Sequence, residues 1–280
     1  MTEDQIRQEN LGKILHSPSY RLAYQDVDFL TEPRLRPARM QLELLKPELT
    51  FEKYNIVSTI VVFGSTRIPE PAAAQKIVGE ARQRLSETPN DTRRQRHLAR
   101  AESLAAMSHY YELARQFAAL VSSQCQENGK RSYVMVTGGG PGIMEAANRG
   151  AFEVHTKSVG LNIRLPMEQQ PNPYITPELC FQFQYFAMRK FHFLLRAKAL
   201  VVFPGGFGTL DELFETLTLR QTRRMQEIPV ILFGRQYWEK VIDFHFLADQ
   251  GVIDDQDLDL FRYVEAAEEA WRIITEFHNE

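Results

Sequence analysis

The chain has 280 residues, 44% of them hydrophobic, and a formal charge of −3, which fits an α/β domain with an appendage and argues against a general nucleic-acid binder. No apolar run approaches a membrane span and the polar N-terminus lacks a signal-peptide pattern, so we predict a cytoplasmic protein without membrane contact. Cys125 and Cys180 lie far apart in sequence, which argues against a disulfide framework and predicts two buried thiols.

The first 55 residues differ from the rest of the chain. They contain short amphipathic stretches that are interrupted by Pro33, Pro37 and Pro47. We interpret residues 1–55 as a helical N-terminal extension and residues 56–280 as the main domain.

Short apolar runs rich in β-branched residues recur through the main domain, and several end at glycine. They predict strands within 56–65, 133–137, 158–163, 180–183, 199–203 and 229–233. Helical segments lie between most of them, which predicts a Rossmann-like α/β fold: a mainly parallel sheet with helices on both faces. Ligands of such sheets bind at the carboxyl ends of the strands, where the glycine clusters fall.

A basic segment over residues 88–100 (TPNDTRRQRHLAR) stands between two predicted helices. We interpret it as a surface connection. Its positive charges are more typical of a solvated face than of a ligand site.

The first glycine loop, TGGGPGIME over residues 137–145, follows a predicted strand and opens a helix. Pro141 fits a first helical turn, and the glycines let backbone N–H groups approach an anion. The loop lacks the third glycine of the dinucleotide fingerprint, since Ile143 occupies that position. It also lacks the Lys-Ser/Thr pair of a P-loop, so a simple NAD enzyme or NTPase is disfavoured.

The second glycine loop, PGGFGTLDE over residues 204–212, has the same strand-to-helix setting. Its backbone and the Thr209 hydroxyl could cradle a phosphate. The alternative is structural, because Thr209 and Glu212 have the spacing of a helix capping box. Two such loops in one sheet favour a phosphorylated ligand over two unrelated tight turns.

Between the loops, residues 184–196 predict a mostly buried helix on which Arg189 and Arg196 share one face. Burying an arginine without a partner is costly. Two interpretations therefore stay open: an ion pair with Glu212 or Glu215, or an arginine that binds substrate.

Three motifs together resemble the Lonely Guy (LOG) family, whose members are often mislabelled lysine decarboxylases. They are GGGPGIME at 138–145, MRK at 188–190 and PGGFGTLDE at 204–212, and the resemblance extends over about residues 56–277. It implies hydrolysis of a nucleoside 5′-monophosphate, AMP or a related nucleotide including cytokinin nucleotides, to a free base and ribose 5-phosphate. It also implies no cofactor, no metal, and a homodimer or larger homo-oligomer.

The resemblance implies that Arg189 and Glu212 form the catalytic pair and that residues 205–209 hold the 5′-phosphate. Glycosidic cleavage develops positive charge on the ribose, which a carboxylate at Glu212 would stabilise. Further substrate contacts are expected from Gly139, Gly140, Glu145, Met188, Lys190, Gly205, Gly206, Gly208 and Thr209.

The chain also departs from the family pattern. Residues 185–188 read YFAM, whereas many members carry a histidine and an acidic residue between the methionine and the arginine, so base preference stays open. The main alternative is a non-catalytic nucleotide or cofactor carrier of the same fold. Lysine decarboxylation would need a Schiff-base lysine at a strand end, and none is evident. A DNA-associated module is disfavoured by the acidic balance.

Overall fold

A computed structural model describes residues 1–126, 129–166 and 170–279, and the chain divides into two compact units, Met1–Lys46 and Pro47–Glu280. The N-terminal region is helical, as predicted, with α1 (Glu3–His16), α2 (Val27–Thr31) and α3 (Arg36–Lys53). The predicted domain boundary at residue 55 stays a prediction.

The expected interruption at Pro47 is wrong, because α3 continues through it. A proline inside a helix removes one N–H hydrogen bond. Here Pro47 and Phe51 are buried, and the Phe51 ring packs edge-on against Phe181 with centroids 5.8 Å apart. This burial offsets the lost hydrogen bond.

The second unit is a seven-stranded, all-parallel sheet surrounded by helices, which confirms the predicted fold class. Its strands are β1 (Thr59–Phe63), β2 (Val134–Thr137), β3 (Ser158–Ile163), β4 (Cys180–Phe183), β5 (Ala197–Val202), β6 (Val230–Phe233) and β7 (Arg262–Val264). Its helices after α3 are α4 (Pro71–Glu87), α5 (Thr92–Ala106), α6 (His109–Cys125), α7 (Ile143–Glu153), α8 (Phe186–Leu195), α9 (Phe207–Gln221), α10 (Arg235–Val241), α11 (Phe244–Asp249) and α12 (Ala267–His278). The strand order is β4-β3-β2-β1-β5-β6-β7.

The sheet is covered on both faces by separate apolar cores. Residues of α6, α7 and α12 form the core on one face, and residues of α3, α8, α9, α10 and α11 form the other. The central strands β1, β2 and β6 are buried along their whole length, which explains their continuous apolar sequences. The edge strand β7 was not predicted from the sequence, because it has only three residues and begins with the exposed Arg262.

Two helical predictions need correction. Residues 92–106 form α5 instead of a connection, because the Asp91 carboxylate caps the helix by accepting from the N–H groups of Arg93 and Arg94 at 2.8 and 3.2 Å. Ala101 of α5 packs against Val78 and Ala81 of α4 and stabilises the pair. The helix predicted as mostly buried, α8, buries only two of its residues, His192 and Phe193. Three of its large apolar side chains are exposed: Phe186, Phe191 and Leu195.

The remaining predictions concern the cysteines, membrane-spanning helices and metal sites. Both cysteines are half-buried instead of buried, and neither forms a disulfide. Within residues 1–126, 129–166 and 170–279, no helix is both long and apolar enough to cross a bilayer. The same residues contain no cluster of histidine, cysteine and carboxylate side chains suited to a metal ion.

A pair of glycine substitutions tests the packing of α6 against α7. A Cβ at Gly150 of α7 would overlap the Arg115 carbonyl oxygen of α6, whereas a Cβ at Gly79 of α4 would meet nothing within 4 Å. Replacing glycine by alanine in a helix interior stabilises the helix by about 1 kcal/mol through its higher helix propensity, and this gain applies at both positions. We expect Gly79→Ala to stabilise the protein slightly and Gly150→Ala to destabilise it by about 2 kcal/mol through overpacking. Urea unfolding of both variants measures this, and equal effects would contradict the packing described.

Candidate active site

The candidate site lies where the direction of strand addition reverses. From β1 the chain builds β2, β3 and β4 to one side and then returns with β5 on the other side of β1. Crevices at such a switch point are where open α/β sheets bind ligands. A cavity of about 590 Å³ lies there, lined by residues that follow β1, β2, β3 and β5 and by the first turns of α8 and α9.

The loops around the cavity are fixed to each other by backbone contacts at Ser65. Its N–H donates to the Pro204 carbonyl at 2.9 Å, and its own carbonyl accepts from the Ile143 N–H at 3.1 Å. Gly142 has a φ of +72°, and a Cβ there would overlap the Ser65 carbonyl oxygen. The loops after β1, β2 and β5 are therefore one preformed frame.

The first glycine loop differs from its prediction at Pro141. Helix α7 begins at Ile143 and Gly142 is its N-cap, so Pro141 lies in the preceding bend and not in the first helical turn. The left-handed conformation of Gly142 is the physical reason, because it separates the proline from the helix.

The second glycine loop opens α9 without a side-chain cap. The helix begins at Phe207 with Gly206 as N-cap, so Thr209 is already its third residue and the predicted capping box is wrong. The Thr209 side chain instead occupies the space that a Cβ on Gly205 would need. The first N–H groups of a helix have no partner inside it, and they favour an anion. The first residues of α9, Phe207 to Thr209, line the cavity, so these N–H groups lie beside it.

A tyrosine holds this loop from behind. The Tyr237 hydroxyl donates to the Gly205 carbonyl at 2.6 Å. Burial raises the pKa of Tyr237, which keeps the hydroxyl protonated and able to donate. The carbonyl of Gly205 is therefore directed away from an anion at the start of α9.

The strongest electrostatic feature of the cavity is the Glu212 carboxylate. Glu212 is 6% exposed, and its Oε1 lies 3.6 Å from an Nη of Arg189. Oε1 has no hydrogen-bond partner among the residues that the structure describes. Desolvation raises the pKa of the Glu212 carboxyl to about 7, against the opposing charges of Lys190 and Arg189. A carboxyl group that titrates near neutral pH is thus held at the cavity.

Arg189 is held by aromatic rings more than by hydrogen bonds. Its guanidinium lies over Phe186 and Phe193, 5.1 and 5.5 Å from the ring centroids, and Phe193 packs edge-on against Phe63 of β1. Its Nε has no hydrogen-bond partner among the described residues, and desolvation lowers the pKa of Arg189. The guanidinium therefore retains unused donors at the cavity.

The other cations of α8 have structural partners. Lys190 Nζ lies 2.8 Å from Asp211 and 2.9 Å from Glu215, so it ties α8 to α9. Arg196 pairs with Glu48 of α3. Arg196 therefore forms a structural ion pair, but with Glu48 instead of the predicted Glu212 or Glu215, while Arg189 pairs loosely with Glu212 and also lines the cavity.

The structure brings some of the predicted site residues together and leaves others outside the cavity lining. Those that line the cavity are Arg189, Gly206, Gly208, Thr209 and Glu212. Those outside its lining are Gly139, Gly140, Glu145, Met188, Lys190 and Gly205. Glu145 accepts a hydrogen bond from the Tyr111 hydroxyl at 2.9 Å.

A buried amide network supports the first glycine loop, and sequence reasoning missed it. The Asn172 N–H donates to the Gly139 carbonyl at 2.8 Å, and its side-chain amide donates to the Gly140 carbonyl at 3.1 Å and to Asn148 Oδ1 at 3.0 Å. Asn148 also accepts from the Thr137 hydroxyl at 2.7 Å. Gly139 and Gly140 are thus fixed by contacts distant in sequence.

Sequence reasoning also missed polar residues of the cavity itself: Ser65, Thr66 and Arg67 after β1, and Asn162 on β3. The signal for the first three was present, because the β1 segment ends at glycine in the same way as the other two loops. Asn162 gave no signal, since a single asparagine within an apolar strand has no motif.

The comparisons with known proteins agree with this picture in part. A profile of the family described as "Possible lysine decarboxylase" matches residues 144–274, just under half of the chain. A search of curated proteins found no match.

Solved structures that are similar to this chain include the following two. One is a molybdenum cofactor binding protein from the phototrophic bacterium Rippkaea orientalis, with 19% identity, coverage of 60% of this chain and 87% of that chain, and a TM-score of 0.43. The other is the structural-genomics target TM1055, with 21% identity, coverage of 78% and 99%, and a TM-score of 0.47. At these values neither bears on function.

The profile match includes the Met188–Lys190 motif and the whole second glycine loop, and it begins at Met144, so that most of the first glycine motif lies outside it. Over residues 144–274 the chain is therefore similar to the family that this profile describes, which supports the resemblance to the LOG family noted from sequence.

Proposed function

We propose that this protein hydrolyses the N-glycosidic bond of a nucleoside 5′-monophosphate and releases a free base and ribose 5-phosphate. The observation that supports this most directly is Glu212, a buried carboxylate at the cavity whose Oε1 has no hydrogen-bond partner among the described residues. Burying an ionised carboxylate is unfavourable. Such a cost is typical of a functional site.

The chemistry assigns a role to each group around the cavity. The uncapped start of α9 would hold the 5′-phosphate through backbone N–H groups. Glu212, one turn further along α9, would then face the ribose, where cleavage develops oxocarbenium charge that a carboxylate stabilises. Arg189 would orient Glu212 and contact the nucleotide. Phosphate binding would supply orientation and remote binding energy.

Residues outside the cavity lining have supporting roles in this proposal. Lys190, paired with Asp211 and Glu215, would keep α8 and α9 in register so that Arg189 and Glu212 stay opposed. Gly205 would give Thr209 its position. Gly139, Gly140, Glu145 and Met188 would act by shaping the loop and the first turns beside the cavity. Action in the cytoplasm as a homo-oligomer, without metal or cofactor, completes the proposal.

A non-catalytic nucleotide carrier of the same fold is the competing hypothesis. A carrier needs the phosphate-binding start of α9 but gains nothing from a buried carboxylate at the ribose. The Glu212 and Arg189 pair therefore favours the enzyme.

Turnover of a panel of nucleoside monophosphates tests the proposal directly. We expect release of ribose 5-phosphate by the wild type and a loss of at least about 100-fold in kcat/KM in Glu212→Gln, since an electrostatic stabiliser is removed. Glu80→Gln, which neutralises an exposed carboxylate of α4, serves as the matched control and should leave the rate unchanged. Nucleotide binding without turnover on any monophosphate would favour the carrier.

The raised pKa of Glu212 predicts how stability depends on pH. Since the folded pKa of about 7 exceeds the ordinary glutamate pKa of 4.5, the stabilisation from protonation is fully present below about pH 4.5 and is lost as pH rises through 7. Glu212→Gln lacks this titration. Its stability relative to wild type should rise between pH 5 and 8, by up to about 3 kcal/mol. Urea unfolding across this range measures the difference, and a constant difference would refute the raised pKa.

Substitution of Gly208 allows the effect on ligand binding to be measured separately from the effect on folding. A Cβ there meets nothing within 4 Å, so Gly208→Ala should fold normally and gain up to about 1 kcal/mol of helix propensity. The added methyl group lies in the first turn of α9, where the phosphate would bind. We therefore expect weaker binding of ribose 5-phosphate, measured by calorimetry, together with a higher melting temperature. Gly79→Ala should gain stability alone. Unchanged binding in Gly208→Ala would place the phosphate elsewhere.

A further inference from the structure

The cavity has two chemically different ends. Around β1, β5 and the first turns of α8 and α9 its lining holds most of its polar side chains, beside the rings of three phenylalanines. The polar side chains are Ser65, Thr66, Arg67, Arg189, Thr209 and Glu212. Next to β2 and β3 it is apolar, with Met144, Ile163 and Leu165, and among the described residues Asn162 is the polar side chain that lines this end. Such a division fits a ligand with a charged end and a flat apolar end.

Asn162 lies far from the start of α9. It is the fifth residue of β3, and β3 is separated from β5 by β2 and β1. At about 4.8 Å per strand, the two strands are about 14 Å apart. With a phosphate at α9 and the ribose at Glu212, the group that reaches Asn162 is the base.

The orientation of the Asn162 amide is fixed by its neighbours. Its Nδ2 donates to the Phe181 carbonyl at 3.2 Å and to Cys180 Sγ at 3.4 Å. A backbone carbonyl can only accept, so the atom that faces it must be the NH₂ group. The amide oxygen, Oδ1, accepts no hydrogen bond from any residue that the structure describes.

Gly139 makes room for this amide. It has a φ of +74°, and a Cβ at Gly139 would overlap the Asn162 Oδ1 atom. The first glycine loop therefore allows the amide to reach the cavity, although Gly139 itself is outside the cavity lining.

We propose that Asn162 Oδ1 accepts a hydrogen bond from the exocyclic amino group of the base, so that the preferred substrates carry adenine or cytosine. This inference rests on the proposed function. Adenine N6 and cytosine N4 are amino donors, whereas hypoxanthine and uracil carry an oxo group at the same place. An oxo group would place two hydrogen-bond acceptors, the base oxygen and Asn162 Oδ1, opposite each other. The Asn162 amide could not donate instead, because both of its N–H bonds are already directed at Phe181 and Cys180.

Two substrate pairs that differ by this one group test the inference. We expect the wild type to prefer AMP over IMP and CMP over UMP by about ten-fold or more in kcat/KM. Asn162→Ala should lower the AMP and CMP rates by a similar factor and leave IMP and UMP within about two-fold, so that both ratios fall towards one. Gln182→Ala is the matched control: Gln182 pairs with Asn162 in the β3–β4 register, is exposed, and lies outside the cavity lining.

The other outcomes are distinct. Equal losses for AMP and IMP in Asn162→Ala would indicate a ribose contact or a structural role and would overturn the inference. A wild-type preference for IMP that vanishes in the variant would assign Oδ1 to a ring N–H instead. If the wild type turns over no monophosphate, the proposed hydrolysis fails. Calorimetric binding of AMP and IMP to wild type and Asn162→Ala then decides the Asn162 inference separately, with the same ratios expected.

Discussion

The unfavourable burial of one carboxylate organises this site. Glu212 lies in a helix that the apolar core requires, since Leu213 and Leu217 of the same helix pack beneath β1, β5 and β6. The helix cannot rotate to expose Glu212 without withdrawing those side chains from the core. Two cations on α8 oppose the effect of desolvation: Arg189, which lies 3.6 Å from the Glu212 carboxylate, and Lys190. The packing of α8 and α9 on one face of the sheet therefore determines the electrostatics of the cavity.

Steric exclusion of side chains shapes the rest of the frame. Gly64, Gly142 and Gly205 each lie where a Cβ would overlap Ile143, Ser65 or Thr209, so the loops approach more closely than other residues allow. Gly206 and Gly208 have open space instead. Glycines of one motif thus divide into those that pack the loops together and those that leave room for a ligand. The motif alone does not distinguish them.

Local sequence signals predicted the sheet well. The bounds of β3 and β4 agree with the predicted runs, and both glycine loops join a strand to a helix as expected. Predictions failed where distant contacts decide the outcome. The burial of Ala101 against Val78 and Ala81 makes α5 a helix, and the exposed apolar side chains of α8 could not be told from core residues by their periodicity. Among the site residues, Arg189 and Glu212 have motif spacing, whereas Asn162 and Asn172 act through contacts that only the fold creates.

The long distance between Arg189 and Glu212 distinguishes this pair from the structural ion pairs nearby. Arg196 and Glu48, on the same face of the sheet, are in direct hydrogen-bond contact, and Lys190 contacts two carboxylates at 2.8 and 2.9 Å. A structural pair gains most of its stabilisation from such contact. Arg189 and Glu212 stay 3.6 Å apart, and Arg189 Nε and Glu212 Oε1 are each buried without a hydrogen-bond partner among the described residues. Both residues line the cavity and neither has its hydrogen-bonding capacity fully used within the described part of the chain, which is the opposite of what a pair kept for stability alone requires.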